Sequence, residues 1–370
     1  MSGPYYKTNE LARLVGVSKN TLIRWEEEGL IPPPMRDGRG WRVWSKDALE
    51  KIIEVKKSKD FKKPLNGNNT RTVVNIIGYG NQGSVWAKNL KDSGTFVNVL
   101  LRPGSLSIKS VVNDGFEVMS IEQGLKQASK NSIFCLMIPD EDHKAFFRQY
   151  EKSIDESFTF VFAHGFSVTF DDVITKAKKI LLAPKSIAKL IRHNYLDHKT
   201  TAVVYSADTV EETVLAKHLA DKLGFSPMIK SSFKEETISD LFTEQVIMCG
   251  GVPSLIIEAF ELLKSKGISE EIAVQECLFE LSYILEVVKE KGIAGMYDAI
   301  SPVAASGGYK VFSDIEDGGS LKDIFKRSYA DIDNKKFINY FNRTKRDDIL
   351  KYIKKKAHNF DSALKKEVSK

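Results

Sequence analysis

Residues 73–94 read VVNIIGYGNQGSVWAKNLKDSG: an apolar strand, a glycine turn, then a helix. Gly78, Gly80 and Gly83 keep the G-x-G-x-x-G spacing at the place where the strand hands over to the helix. There, backbone N–H groups and the positive end of the helix receive a pyrophosphate. A lone match would be weak, but the strand–turn–helix context makes it specific. Gly78, Tyr79, Gly80, Asn81, Gln82 and Gly83 are therefore candidate cofactor-binding residues.

Downstream, the next strand, VNVLL, ends in Arg102, where an NAD-binding fold places an acidic residue on the ribose hydroxyl. RPGSLS adds Ser105 and Ser107. A cation with hydroxyls suits a 2′-phosphate, which favours NADP over NAD. The buried run SIFCLMIPDED ends in Asp140, Glu141, Asp142 and His143, at the edge where a nicotinamide passes. FVFAHGF ends in the region of His164 and ILLAPK ends at Lys185. Strands alternating with helices predict an α/β, doubly wound, Rossmann-type domain over 72–231.

Upstream, 56–71 is polar, with Pro64, Gly67 and three Asn residues, and is expected to be a flexible linker. Before it lies a first unit, 1–55. Residues 1–71 hold 15 Lys+Arg against 9 Asp+Glu, whereas the remaining 299 hold 40 of each. A basic unit on a neutral body suggests a polyanionic partner. TNELARLVGVSKNTLIRW (8–25) reads as helix, turn, helix, with Thr8 and Ser18 as caps and Leu11, Leu14, Val15, Leu22 and Ile23 inward. Arg36, Arg39, Gly40, Trp41, Arg42 and Trp44 are expected to form a hairpin with a basic, aromatic surface.

The remainder, 232–370, reads as helical. ETISDLFTEQ (236–245) puts Asp240 and Glu244 one turn apart on a face with Phe233, Thr237, Leu241, Ile247 and Met248. SEEIAVQECLFELSYILEVVKEKG (269–292) reads as one helix from Ser269 to Lys291, stopped by Gly292, with Glu276 and Glu280 on a similar stripe. Two acidic pairs brought together repel unless cations neutralise them, and hard divalent ions, Mg²⁺ foremost, resolve that conflict. No apolar run of about 18 residues suggests a membrane span. The opening MSGPYYKTNE has no signal-peptide core. Cys135, Cys249 and Cys277 lie in apolar segments, so buried, reduced thiols in a cytoplasmic protein are expected.

Two resemblances follow from these motifs. ELARLVGVS, TLIRWEEEGLIPPP and GWRVWSKDALEKI resemble the MerR-type winged helix-turn-helix over about 6–52. That implies a helix with Ser18, Lys19, Asn20 and Arg24 in a DNA major groove, and Arg39 and Arg42 of the wing on phosphates. From about 73 to 352, IGYGNQG, LRPGS, DGFEVM, PDE, FAHGF, APK, FKEETISDLFTEQ, CGG and ECLFEL resemble ketol-acid reductoisomerase. That family implies NADPH, two Mg²⁺ ions and a 2-acetohydroxy acid substrate. It also implies an all-α, knotted-type C-terminal domain that interlocks into a dimer. Asp240 and Glu244 would hold the metal pair, with Glu276 and Glu280 from the partner subunit. His164, Lys185 and Glu280 take catalytic roles, and Ser301 touches substrate. The chain departs from the family at SIAK (186–189), at Phe279 and Ser282, and at AISPVAASGG. Two functions stay open: a working reductoisomerase with a DNA-binding domain, or a regulator whose body senses NADPH or a keto acid.

Overall fold

The computed structural model describes residues 6–15, 19–27, 31–36, 41–60, 73–170, 173–318 and 320–368. The chain divides into two compact units, 1–233 and 234–370.

The first unit begins with β1 (Tyr6–Lys7), α1 (Thr8–Val15), α2 (Lys19–Glu27), β2 (Met35–Arg36), β3 (Arg42–Trp44) and α3 (Lys46–Asp60). Its three strands form an antiparallel sheet in the order β1-β3-β2. Leu11, Val15, Leu22, Trp25, Ile31, Trp44 and Ile52 make a small core of their own. Three expectations need correction. Leu14 is 58% exposed, because it falls on the outer face of an eight-residue helix. Trp44 belongs to the core rather than to the basic surface, and its indole N–H donates to Thr8 Oγ1 at 3.3 Å. Residues 56–60, expected in the linker, instead belong to α3, which continues through Asp60, while 61–71 lie outside the described residues.

An eight-stranded sheet follows. It is built from β4 (Val73–Ile77), β5 (Phe96–Leu101), β6 (Val118–Ser120), β7 (Ile133–Leu136), β8 (Thr159–Phe162), β9 (Lys178–Pro184), β10 (Thr201–Ser206) and β11 (Phe225–Lys230). The connecting helices are α4 (Asn81–Asp92), α5 (Ile108–Asn113), α6 (Ile121–Gln127), α7 (Asp140–Tyr150), α8 (Phe166–Phe170), α9 (Ala188–Leu196) and α10 (Val210–Leu223). The strand order is β11-β10-β9-β8-β7-β4-β5-β6, parallel throughout except between β9 and β10. Successive residues of each strand feed opposite cores: Ile76, Val99, Cys135, Val161 and Leu182 one face, Ile77, Leu100, Phe134, Phe160 and Leu181 the other. A sheet covered on both faces explains why these strands read as continuous apolar runs instead of alternating ones.

The second unit continues α11 (Phe233–Thr243) and contains α12 (Gly251–Ser265), α13 (Glu270–Val274), α14 (Leu281–Ala299), α15 (Pro302–Gly318), α16 (Ser320–Asp333), α17 (Lys336–Arg343) and α18 (Arg346–Val368). Ile256, Phe260, Ala273, Val274, Phe360 and Ala363 form its core. The helix expected over 269–291 is not uniform. Ser269 caps its start, accepting from the Ile272 N–H at 3.4 Å, but residues 275–280 open into a π-helical turn. Gly292 does leave helical geometry, at φ 74 and ψ 174, and the chain resumes helix beyond it. The apolar character of this unit is also stronger than expected. Phe233–Ser265 is long and apolar enough to cross a membrane, with mean hydropathy 1.8 over 18 residues of which 11% are buried. Cys249 is exposed there, against the expectation of a buried thiol, while Cys135 is buried and Cys277 intermediate.

Candidate active site

The carboxyl ends of β4, β5, β7, β8 and β9 share one edge of the sheet, and each is followed by a residue of interest: Gly78, Arg102, Asp140, His164 and Lys185. The chain reverses its direction of winding at the β4–β7 boundary, where folds of this type open a crevice for a ligand. The glycines at that crevice differ in their reasons. Gly78 has φ +93, and a Cβ there would lie 2.7 Å from the Met137 carbonyl oxygen; a Cβ on Gly83 would overlap the Gly78 carbonyl. Those two make the turn and its packing possible. A Cβ on Gly80 would meet no atom of the described residues within 4 Å. Its side is open space directly before α4, whose N-terminus carries no side-chain cap. The buried Gln82 Oε1 likewise has no hydrogen-bond partner among the described residues.

Tyr79, between the first two glycines, is anchored. Its hydroxyl donates to Asp114 Oδ2 at 2.8 Å, Lys88 pairs with the same oxygen at 2.9 Å, and Phe116 packs edge-on at 6.0 Å. Burial pushes the Tyr79 phenol above its usual range, and the bond to Asp114 adds to the effect. Arg102 is exposed at the end of β5, with Ser105 and Ser107 half-buried beyond it and joined by an N–H···Oγ bond of 3.3 Å.

Asp140, Glu141 and Asp142 occupy the first turn of α7. Burial raises the Asp140 carboxyl above the ordinary carboxylate range, partly offset by the rings of His143 and His164. His143 is not at the surface expected of a cofactor contact: it is 3% exposed, with Nδ1 2.6 Å from Ser167 Oγ and Nε2 3.1 Å from the Ile138 carbonyl. It staples α7 to α8. Its place on the helix, one turn in from Asp140, turns it toward Phe162 and the core. His164 follows β8 and stacks on Phe166 at 6.4 Å. Lys185 follows β9 with its side chain exposed and its N–H held by the Ala202 carbonyl at 2.8 Å.

In the second unit, Asp240 lies on α11 and Glu244 opens a π-helical turn, Glu244–Met248. Glu276 and Glu280 stand in the other such turn, Gln275–Glu280, and both are exposed. Both acidic pairs thus border or occupy the rare wide turns that recur at functional sites. Among the described residues, these four carboxylates supply no group of three with all ligand atoms within 4.8 Å. Glu236 was not singled out from the sequence, yet it is 1% exposed and presents an oxygen within 4.8 Å of an Asp240 oxygen. Its signal was legible: Glu236, Asp240 and Glu244 recur every four residues.

Residues 69–226 match the acetohydroxy acid isomeroreductase NADPH-binding domain, and 233–368 match the ketol-acid reductoisomerase C-terminal domain. Over 246 residues the chain is 36% identical to the ketol-acid reductoisomerase (NADP(+)) of Pyrococcus abyssi, covering 64% of this chain and 73% of that one. The chain belongs to the ketol-acid reductoisomerase family. A solved NADH-preferring ketol-acid reductoisomerase from an uncultured archaeon superposes with a TM-score of 0.69 at 25% identity, over 80% of this chain and 93% of the other. A semialdehyde dehydrogenase NAD-binding protein from Cupriavidus necator shares the fold, with a TM-score of 0.53 at 16% identity over 70% of this chain and 99% of that one. Residues 7–44 match the MerR family regulatory protein, an addition in front of the reductoisomerase body.

Within this family assignment, two further expected positions have local roles. Ser301 is exposed, and its hydroxyl accepts from the Ala304 N–H at 3.2 Å, capping α15. Arg42 pairs with Glu26 of α2 at 3.2 Å, tying the wing to that helix. Lys19 is exposed at the start of α2, whereas Ser18, Arg39 and the side chains of Asn20 and Arg24 lie outside the described residues.

Proposed function

We propose that this chain is an NADPH- and Mg²⁺-dependent reductoisomerase for a 2-acetohydroxy acid of the 2-acetolactate type, working as a cytoplasmic homodimer whose winged helices read duplex DNA. The observation that carries it is the pairing, in one chain, of a dinucleotide turn open at Gly80 with an acidic ladder on an otherwise apolar helix. Both features suit those groups. The space at Gly80 and the uncapped end of α4 accept a pyrophosphate, and Arg102, Ser105 and Ser107 suit a 2′-phosphate. Asp240 and Glu244 would hold Mg²⁺, supported by Glu236. Glu276 and Glu280 would come from a second copy, which also accounts for the exposed Leu255, Leu262, Tyr283 and Ile293 of this unit.

Held by these carboxylates, Mg²⁺ would supply Lewis-acid polarisation of the substrate's ketone and neighbouring hydroxyl. NADPH, bound at the glycine turn, would supply the hydride. The methyl group moves with its bonding pair to the adjacent ketone carbon as the hydroxyl loses its proton and the former ketone oxygen gains one. The resulting 2-keto acid then takes hydride on its keto carbon and a proton on its oxygen, giving the 2,3-dihydroxy acid. In this reading the Glu280 carboxylate would take the hydroxyl proton, and His164 and Lys185 would orient the polar end of the substrate. NADPH absorbance followed with 2-acetolactate and Mg²⁺ tests this directly: turnover is expected, and a folded protein without turnover refutes it.

The winged helix at 7–44 favours a second role, control of DNA binding by the state of the body. Operator affinity measured at fixed salt with and without NADPH, Mg²⁺ and substrate distinguishes the two. An unchanged dissociation constant rejects coupling.

A further inference from the structure

The acidic ladder is followed at once by Cys249-Gly250-Gly251, and the structure gives those glycines a task. In the turn Glu244–Met248 the helix widens by one residue, so that the Cys249 N–H reaches the Glu244 carbonyl, five residues back, at 2.7 Å. The next two carbonyls in the turn then lie against the next two Cα atoms. A Cβ on Gly250 would overlap the Gln245 carbonyl oxygen, and one on Gly251 the Val246 carbonyl oxygen. Both obstacles are backbone, so no rotamer change relieves them. Neither glycine needs left-handed backbone: Gly250 has φ −102 and ψ −63. The requirement is for the absence of a side chain.

The widening matters because it fixes phase. Each helical residue turns the chain by about 100°. One residue absorbed in a wide turn leaves the helices on either side in their proper rotation; the same residue forced into an ordinary α-turn rotates one against the other. Downstream, Ile256 and Phe260 of α12 are locked in the core with Ala273, Val274, Phe360 and Ala363. The rotation would therefore fall on α11 and its carboxylates.

We propose that Gly250 and Gly251 are positioning residues: by excluding a Cβ they hold the wide turn that aims Asp240 and Glu244 relative to the α12–α13–α18 core. This rests on the assignment of Asp240 and Glu244 as Mg²⁺ ligands.

The test compares the full chain with Gly250→Ala and with Gly250→Ala lacking Ile247, a half-exposed residue of the turn. Removing one residue converts the wide turn to an α-turn without shifting phase, and an α-turn tolerates alanine. Mg²⁺ binding is read by calorimetry, and NADPH binding by fluorescence. Gly250→Ala is expected to weaken Mg²⁺ binding by about tenfold or more, as loss of a supporting group does. NADPH binding should stay within about twofold, and the deletion variant should recover most of the Mg²⁺ affinity. If Gly250→Ala fails to fold, recovery of a folded, Mg²⁺-binding chain on deletion of Ile247 supports the proposal, and failure to recover overturns it. Undiminished Mg²⁺ binding by Gly250→Ala also overturns it. A wild-type chain that binds NADPH but no Mg²⁺ sinks the metal assignment itself, and the proposal with it.

Discussion

Gly78 and Gly80 are two residues apart and are expected to behave oppositely when given a methyl group. Gly78→Ala meets both a positive φ and the Met137 carbonyl, and should cost about 3 kcal/mol of stability, read as a lowered denaturation midpoint. Gly80→Ala has room among protein atoms, so stability should hardly change while KM for NADPH rises by about tenfold or more. Asp114 offers a pH signature. Burial alone would raise its carboxyl, but hydrogen bonds from Lys88 and Tyr79 and the charges of Lys88 and Lys91 hold it below the usual range. A carboxyl lowered in the folded state stabilises above its unfolded pKa, about 4, and loses that contribution as pH falls through the folded value. Thermal melts of Asp114→Asn should therefore lie below wild type at neutral pH, with the gap closing below about pH 4.

Among the elements, α10 shows how local sequence sets a boundary. Thr209 accepts from the Glu212 N–H at 3.1 Å while Glu212 accepts from the Thr209 N–H at 3.0 Å, a reciprocal cap that the spacing Thr-x-x-Glu announces. Thr209→Ala should cost about 1 kcal/mol by chemical denaturation, with NADPH binding unaffected. The strands were legible for the same kind of reason: their continuous apolar runs required cover on both faces. The wide turns were not. Periodicity distinguishes 3.6 from 2, and a single extra residue shifts a stripe without erasing it, so 269–291 read as one helix. The carbonyl contacts that make Gly250 and Gly251 necessary join residues five apart through space and leave no compositional trace.

For the whole molecule, the expected sharing of ligands between subunits can be checked by mixing two dead chains. Asp240→Asn and Glu280→Gln, each inactive alone, should regain about a quarter of wild-type activity when coexpressed, because half the random dimers carry one intact site of two. No recovery in mixed dimers would mean that each site draws both acidic pairs from one chain. At the other end of the chain, Lys19→Ala should weaken DNA binding and reduce the slope of log K against log salt by about 1 if Lys19 meets a phosphate.

Unlike the order of the strands and the antiparallel β9–β10 pair, the α/β alternation, the glycine turn and the helix-turn-helix were written in local pattern, because strands, turns and caps depend on neighbours a few residues away. So were the acidic pairs, though not the backbone that carries them. Three-dimensional packing decided which of the polar residues face inward. It committed His143 to Ser167 and the Ile138 carbonyl, buried Trp44 and Glu236, and left Cys249 exposed. Burial is a property of distant segments meeting, and no spacing rule encodes which segments those are.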